Sequence, residues 1–390
     1  MDESKTKLAA EEGREVSEQM VFEETIRHFL EPVRAFLEDP EVVEIMCNGP
    51  NEIYVERKGK LELTDAKFEN EERMIAAMRN ILQFVGKRLN PDLPLQDARL
   101  PDGSRVHIAM PPCSRVGPCL TIRKFVRKAF DMGFLVQSRT LSEMARDFLQ
   151  LCVLSEKNLL ISGGTSSGKT SLMNVLTGYV PADRRIVVIE ESSELQLQQP
   201  HVISLETRGP DRYGRGAVPI RMLFKHSLRM RPDRIIVGEV RGGEAMDMIQ
   251  AMTSGHGGSM STLHADSATD TILRLETLAM MGGVDMPLHA LRARIASAID
   301  IVVQMMRFAD GSRRVVQISE VLPLDKGEYR LQDMFELRMP PGARKLIDAD
   351  LVWSGRKPSF ADDVPTKLLA ESLPSLGEMF ADTSGEQQGE

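Results

Sequence analysis

Apolar positions follow two different periods along the chain, and the change falls near residue 130. Before it, short apolar runs are broken by turns. VVEIMC (42–47) ends at Asn48-Gly49-Pro50, and EIYVER and KLELT flank Gly59 as a hairpin. LQDARL, SRVHIAM and CLTIRKF, separated by Pro101-Asp102-Gly103 and Pro111-Pro112, predict three more strands. One helix interrupts them over 70–88, where Met74, Met78, Ile81, Leu82 and Val85 recur at helical spacing. The pattern predicts an α+β domain over 39–130 on a mostly antiparallel sheet. Ahead of it, Phe22, Ile26, Phe29 and Leu30 share a helical face, and Pro32 restarts the chain with Val33, Phe36 and Leu37. That helical segment, 1–38, either packs on its own domain or serves an interaction; residues 1–20 read as frayed or disordered.

After a linker over 131–139 the apolar runs alternate with helical ones. MARDFLQLCVL is a helix, NLLIS a strand and SLMNVL a helix. Strands are predicted at RRIVVIEE, HVISLETR, RIIVGEV and SMSTLHA, with helices at VPIRMLFKHSLRM and GGEAMDMIQAMTS and over 267–281 and 287–298. DIVVQMMRF and RRVVQISEVL close with two strands. Alternation of this kind predicts a parallel sheet with helices on both faces, over 140–340. Beyond about 340 the pattern fades: 341–390 reads as a partly disordered extension, with a helix over 366–380 and a polar tail.

The chemistry begins where the first of these strands ends. Gly163, Gly164, Thr165, Ser166, Ser167, Gly168, Lys169, Thr170 and Ser171 form a Gly-rich loop between strand and helix. Gly163 and Gly168 let the backbone curl its N–H groups onto phosphate oxygens, and the helix adds its positive end. Lys169 supplies a charge for the β- and γ-phosphates, and Thr170 a hydroxyl for Mg²⁺. On this sheet, the loop predicts an α/β chain with a RecA-like P-loop ATPase core.

Acids leave two neighbouring strands. Glu239 ends RIIVGE, at the carboxyl edge where ligands sit in α/β sheets. Glu190, Glu191 and Glu194 end IEESSE; strand neighbours point opposite ways, so one of Glu190 and Glu191 faces the site. His256 and His264, eight apart in GHGGSMSTLHA, have no metal spacing; His264 reads as a γ-phosphate sensor or a subunit contact. The first domain carries Arg99, Arg105, Arg115, Arg123 and Arg127, of which Arg105 and Arg123 lie inside strand patterns. A guanidinium from that domain neutralises γ-phosphate charge if the domain closes over the nucleotide.

Composition changes this picture little. The 390 residues carry a net charge of −8, which argues against a sequence-independent grip on nucleic acid. Cys47, Cys113, Cys119 and Cys152 fit no zinc spacing and read as free thiols in a reducing cytoplasm. The charged start carries no signal-peptide pattern, and no apolar run is long enough to span a bilayer.

Together, GGTSSGKT, IEESSEL, RIIVGEVRGGEA and GHGGSMSTLHA resemble the Walker A loop, aspartate box, Walker B strand and histidine box of the type II/type IV secretion ATPase superfamily. EVVEIMCNGPNEIYVERKGKL, RLPDGSRVHIAMPP and LTIRKF look like its CpaF/TadA branch, the motor of tight-adherence (Flp-type) pili. The resemblance covers roughly residues 20 to 335. It implies a homohexamer of two-domain subunits holding ATP between the domains. It implies inner-membrane platform proteins as partners and a place at the cytoplasmic face of that membrane. By matching position, Lys169 and Thr170 hold phosphates and Mg²⁺, Glu239 is the catalytic acid, and Arg105 and Arg123 reach the γ-phosphate. Glu190 and Glu191 stand at the aspartate box, where the usual Glu-Asp pair is Glu-Glu; Glu191 joins Thr170 as an expected Mg²⁺ ligand. His256 and His264 match the histidine box, and the four-cysteine zinc module of many type II motors is absent. Two alternatives stay open: a nucleotide-gated assembly scaffold and a DNA-dependent translocase.

Overall fold

The computed structural model describes residues 24–57, 59–90, 92–125, 131–210, 214–283, 285–342, 345–364 and 373–380. The expectations for residues 1–20, Phe22, Arg127 and the polar tail lie outside these residues, as do residues 366–372 of the helix expected over 366–380. Chain contacts divide the protein into two units, meeting at Lys128 and Ala129.

The first unit is a six-stranded sheet, antiparallel throughout, in the order β3-β2-β1-β6-β5-β4. Its strands are β1 Val42–Asn48, β2 Ile53–Arg57, β3 Lys60–Leu63, β4 Leu95–Arg99, β5 Arg105–Ala109 and β6 Cys119–Arg123. The helix Glu71–Phe84 starts at Asn70, whose side chain accepts from Arg73 N–H. It buries Met74, Ala77, Met78, Ile81 and Leu82 against the sheet. Ile26, Leu30 and Val33 are buried in the same core, so the leading helices pack on their own domain.

The second unit is a nine-stranded sheet in the order β15-β14-β13-β12-β7-β11-β10-β8-β9. Six strands run parallel: β7 Leu159–Gly163, β8 Ile186–Glu190, β9 Val202–Glu206, β10 Arg234–Val237, β11 Met260–Leu263 and β12 Ile301–Arg307. Both faces are covered. Leu159 and Ile161 point into one core with the helices Glu143–Leu154 and Lys169–Thr177. Leu160 points into the other, with the helices Glu244–Met252, Ala268–Met281 and Leu288–Ala298. That two-sided burial explains the unbroken apolar runs of the sequence.

Three features depart from the sequence pattern. The expected linker contains a helix, Met132–Gln137, capped by Asp131 and burying Leu135. The sheet does not stop near residue 322. β13 runs Arg313–Asp325, followed by β14 Glu328–Arg338 and β15 Asp350–Trp353, all antiparallel. Register shifts in the β13–β14 pairing break the alternation that marks a strand, and β14 is mostly half-exposed. Finally, Leu373, Leu376 and Met379 of the extension are fully buried in the second unit's core. Ser375 Oγ donates to buried Asp147 at 2.5 Å, fixing this segment to the helix Glu143–Leu154.

Leu376→Ala is therefore expected to cost about 2–5 kcal/mol in urea unfolding, the range for a buried leucine. A midpoint equal to wild type would show that the segment contributes nothing to the core.

Candidate functional site

The phosphate loop is built from backbone geometry. β7 is buried along its length, with β11 and β12 parallel on either side. At its end Gly163 adopts φ +151°, and a Cβ there would lie 2.4 Å from the Met305 carbonyl oxygen and 2.6 Å from Ser167 Oγ. Only glycine fits. Gly168 has φ +99° and opens the helix Lys169–Thr177, whose start carries no side-chain cap. The first-turn N–H groups are thus directed at whatever the loop encloses. Ser167 Oγ is buried without a hydrogen-bond partner. Two residues outside the motif brace the loop. Arg313 Nε donates to the Ser166 carbonyl at 2.9 Å. Ser162 Oγ donates to Gln304 Oε1 at 2.5 Å, and Gln304 Nε2 donates to the Ala265 carbonyl at 3.1 Å, tying the loop strand to the end of β11.

Lys169 is buried and turns back over the loop, donating to the Gly163 and Gly164 carbonyls, each at 2.9 Å. Its third contact is His264 Nδ1, 3.4 Å away. Burial lowers the Lys169 pKa, partly offset by the Glu239 carboxylate. Thr170 and Ser171 are half-buried in the first helical turn, and Gly164 and Thr165 are exposed at the loop's rim.

The acids divide by role. Glu239, just past β10, has Oε1 at 3.0 Å from His264 Nε2 and Oε2 at 2.6 Å from Arg241 Nη2. Arg241 Nη1 lies 2.7 Å from Glu191 Oε2. Glu190 is buried instead: its Oε1 accepts the N–H groups of Glu194 and Leu195 at 2.8 and 3.1 Å, shaping the loop that follows β8. Gly238 leaves room for it, since a Cβ there would meet Glu190 Cγ at 2.9 Å. Alternation along the strand thus gives Glu190 to the backbone and Glu191 to Arg241. Burial, then Lys169, lowers the His264 pKa, against the raising effect of Glu239.

Lys169, Glu239, His264, Glu191 and the loop are brought together. His256 is not. It precedes β11, whose Met260 pairs with Leu159 at the start of β7, whereas Leu263 pairs with Ser162 beside the loop. The two histidines therefore flank opposite ends of a strand about 13 Å long at the usual rise per residue. Arg105 and Arg123 are directly opposed on β5 and β6 of the first unit, which puts both on one face of that sheet. Sequence reading missed Arg241, Gln304 and Arg313. Arg241 had a signal in its place two residues after the strand-end acid; the other two act only through distant pairing.

The residues present fit a magnesium nucleotide. The glycine-lined loop, the uncapped helix start and Lys169 suit phosphates, and Thr170 carries a hydroxyl, an oxygen donor of the kind Mg²⁺ takes, in the first helical turn. A family model described as Type II/IV secretion system protein matches residues 28–333. The chain belongs to that family. It is 36% identical over 318 residues to the type IV secretion system protein PtlH of Bordetella pertussis, covering 74% of this chain and 93% of that protein. It is 32% identical over 325 residues to VirB11 of Brucella suis, covering 76% and 90%. The fold matches the ADP-bound pilus retraction motor PilT with a TM-score of 0.52 at 17% identity, over 77% of this chain and 83% of that one. The fold class is thus α/β, a RecA-like core preceded by an α+β unit.

Gly163→Ala is expected to abolish binding of a fluorescent ATP analogue, because backbone rather than a flexible side chain occupies the Cβ position; wild-type affinity would refute the loop geometry. A second expectation concerns pH. With its folded pKa below the unfolded value of about 6.5, His264 binds fewer protons folded than unfolded just below that pH. Stability then falls as pH drops from about 6.5 toward the folded pKa. Melting curves of His264→Asn across this window should show a shallower decline than wild type; an unchanged slope would assign it to other groups.

Proposed function

We propose that this protein hydrolyses ATP with Mg²⁺ and works as a homohexameric motor for assembly of a Tad/Flp-type pilus, in the CpaF/TadA branch of its family. The convergence of Lys169, Glu239 and His264 at the carboxyl end of the parallel strands carries the reading. In it Lys169 leaves its loop carbonyls for the γ-phosphate and offsets charge in the transition state. Glu239 orients the attacking water and accepts its proton, while His264 holds Glu239 in place through Nε2. Bound Mg²⁺ supplies further positive charge at the phosphate oxygens, held by Thr170 and Glu191. Arg105 and Arg123, directly opposed on β5 and β6, are the proposed guanidinium source for γ-phosphate charge.

The partners fit a cytoplasmic engine at the inner membrane. In this reading force passes to cargo through membrane platform proteins; no described helix is long and apolar enough to cross a bilayer. Identity to PtlH and VirB11, both type IV secretion system proteins, supports the envelope-machine setting. The sequence from Glu41 to Leu61, which resembles that branch, supports the pilus reading.

Turnover measured against protein concentration, with mass by light scattering in the same samples, tests the ring. Activity should rise as hexamers form, and full activity in a monomer would refute it. Glu239→Gln should lower kcat by about 100-fold or more with ATP affinity changed little, the scale for a lost general base. Lys169→Ala should abolish turnover; wild-type rates in either variant would leave the scaffold reading standing.

A further inference from the structure

Among the described residues, Arg241 touches both acids assigned to the proposed site. Its guanidinium is a planar fork, and each tine takes a different carboxylate: Nη1 to Glu191 Oε2 at 2.7 Å and Nη2 to Glu239 Oε2 at 2.6 Å. The two acids leave different strands, β8 and β10, and nothing in the β8–β10 pairing, which ends at Ile189 and Val237, extends to them. Arg241 is itself held from behind. Its backbone N–H and that of Gly242 both donate to Glu244 Oε1, at 2.7 and 2.8 Å, and Glu244 is buried at the start of the helix Glu244–Met252. The fork is thus fixed at its root and free only at its tip. Arg241 holds one oxygen of each acid: the other oxygen of Glu239, Oε1, faces His264, and Oε1 of Glu191 is not the oxygen the guanidinium takes.

We infer that Arg241 is a positioning residue for hydrolysis: it sets the separation between the metal-facing acid Glu191 and the water-facing acid Glu239. This rests on the ATPase reading above. Two carboxylates in one small site repel, and the intervening guanidinium converts that repulsion into a fixed spacing. A lysine does not replace it, because a single ammonium on a flexible stem does not grip two carboxylates from two directions. Geometry also separates this role from fold maintenance. The Arg241 side chain is 56% exposed, so its loss opens no cavity.

Arg241→Lys and Arg241→Gln test the inference in the full-length protein, with three readouts. Melting temperature should stay near wild type. Affinity for a fluorescent ADP analogue in EDTA should change less than about threefold, while the gain in affinity on adding Mg²⁺ should be lost. The kcat should fall about 30-fold or more in both variants, and KM should rise by about the factor of the lost Mg²⁺ gain. Glu191→Gln combined with Arg241→Gln should be no worse than the weaker single variant, since the two act as one unit. Wild-type kcat and an intact Mg²⁺ gain in Arg241→Lys would overturn the inference, as would fully additive losses in the double variant. The Mg²⁺ gain needs no turnover, so a wild-type protein that binds but does not hydrolyse would refute the ATPase reading while still reporting on Arg241.

Discussion

Parallel pairing of β7 with β11 and β12 is the constraint on which the rest depends. It places the carboxyl ends of several strands at one edge, so that residues far apart in sequence leave the sheet side by side. Gly163, Glu191, Glu239 and His264 meet for that reason. The same pairing limits what the loop can be. The Met305 carbonyl from β12 occupies the space a side chain at Gly163 would need, so the neighbouring strand and not the loop itself demands the glycine.

Charge is the second organising force. Glu191, Arg241, Glu239, His264 and Lys169 form a chain of contacts linking the segments after β8, β10 and β11 to the helix that follows β7. A buried ammonium or carboxylate without a partner is costly, and this alternation compensates each one. It also leaves Lys169 resting on backbone carbonyls, partners that a phosphate exceeds in charge, so exchange onto a nucleotide is downhill electrostatically. Gln304 and Arg313 hold the apparatus still. Both belong to the β12–β13 hairpin, which couples the loop to the antiparallel half of the sheet.

That antiparallel half extends the core beyond the motif-bearing region. β13, β14 and β15 continue the sheet, and the segment 373–380 covers the far side of the helix Glu143–Leu154. Glu320, buried on β13, accepts the Ser359 backbone N–H and hydroxyl, adding a second anchor for the chain's final third. The nucleotide loop thus sits near the middle of a continuous sheet rather than at the edge of a smaller one.

The α/β class was legible in sequence because it rests on local chemistry: period, turn residues and glycine placement. The family followed from four motifs of this kind, and the match over residues 28–333 agrees with it. The division of labour between Glu190 and Glu191 was half legible; alternation said that they part, and only the fold said that Glu190 turns to the backbone of Glu194 and Leu195. His256 and His264 read as a pair because they are close in sequence, yet β11 separates them, since a strand carries its ends apart. β14 and β15 were invisible because half-exposed strands with shifted register lose their alternation. Gln304 and Arg313 belong to the tertiary structure alone: a side chain's partner across a sheet depends on strand order, and strand order is written in no local stretch of the chain.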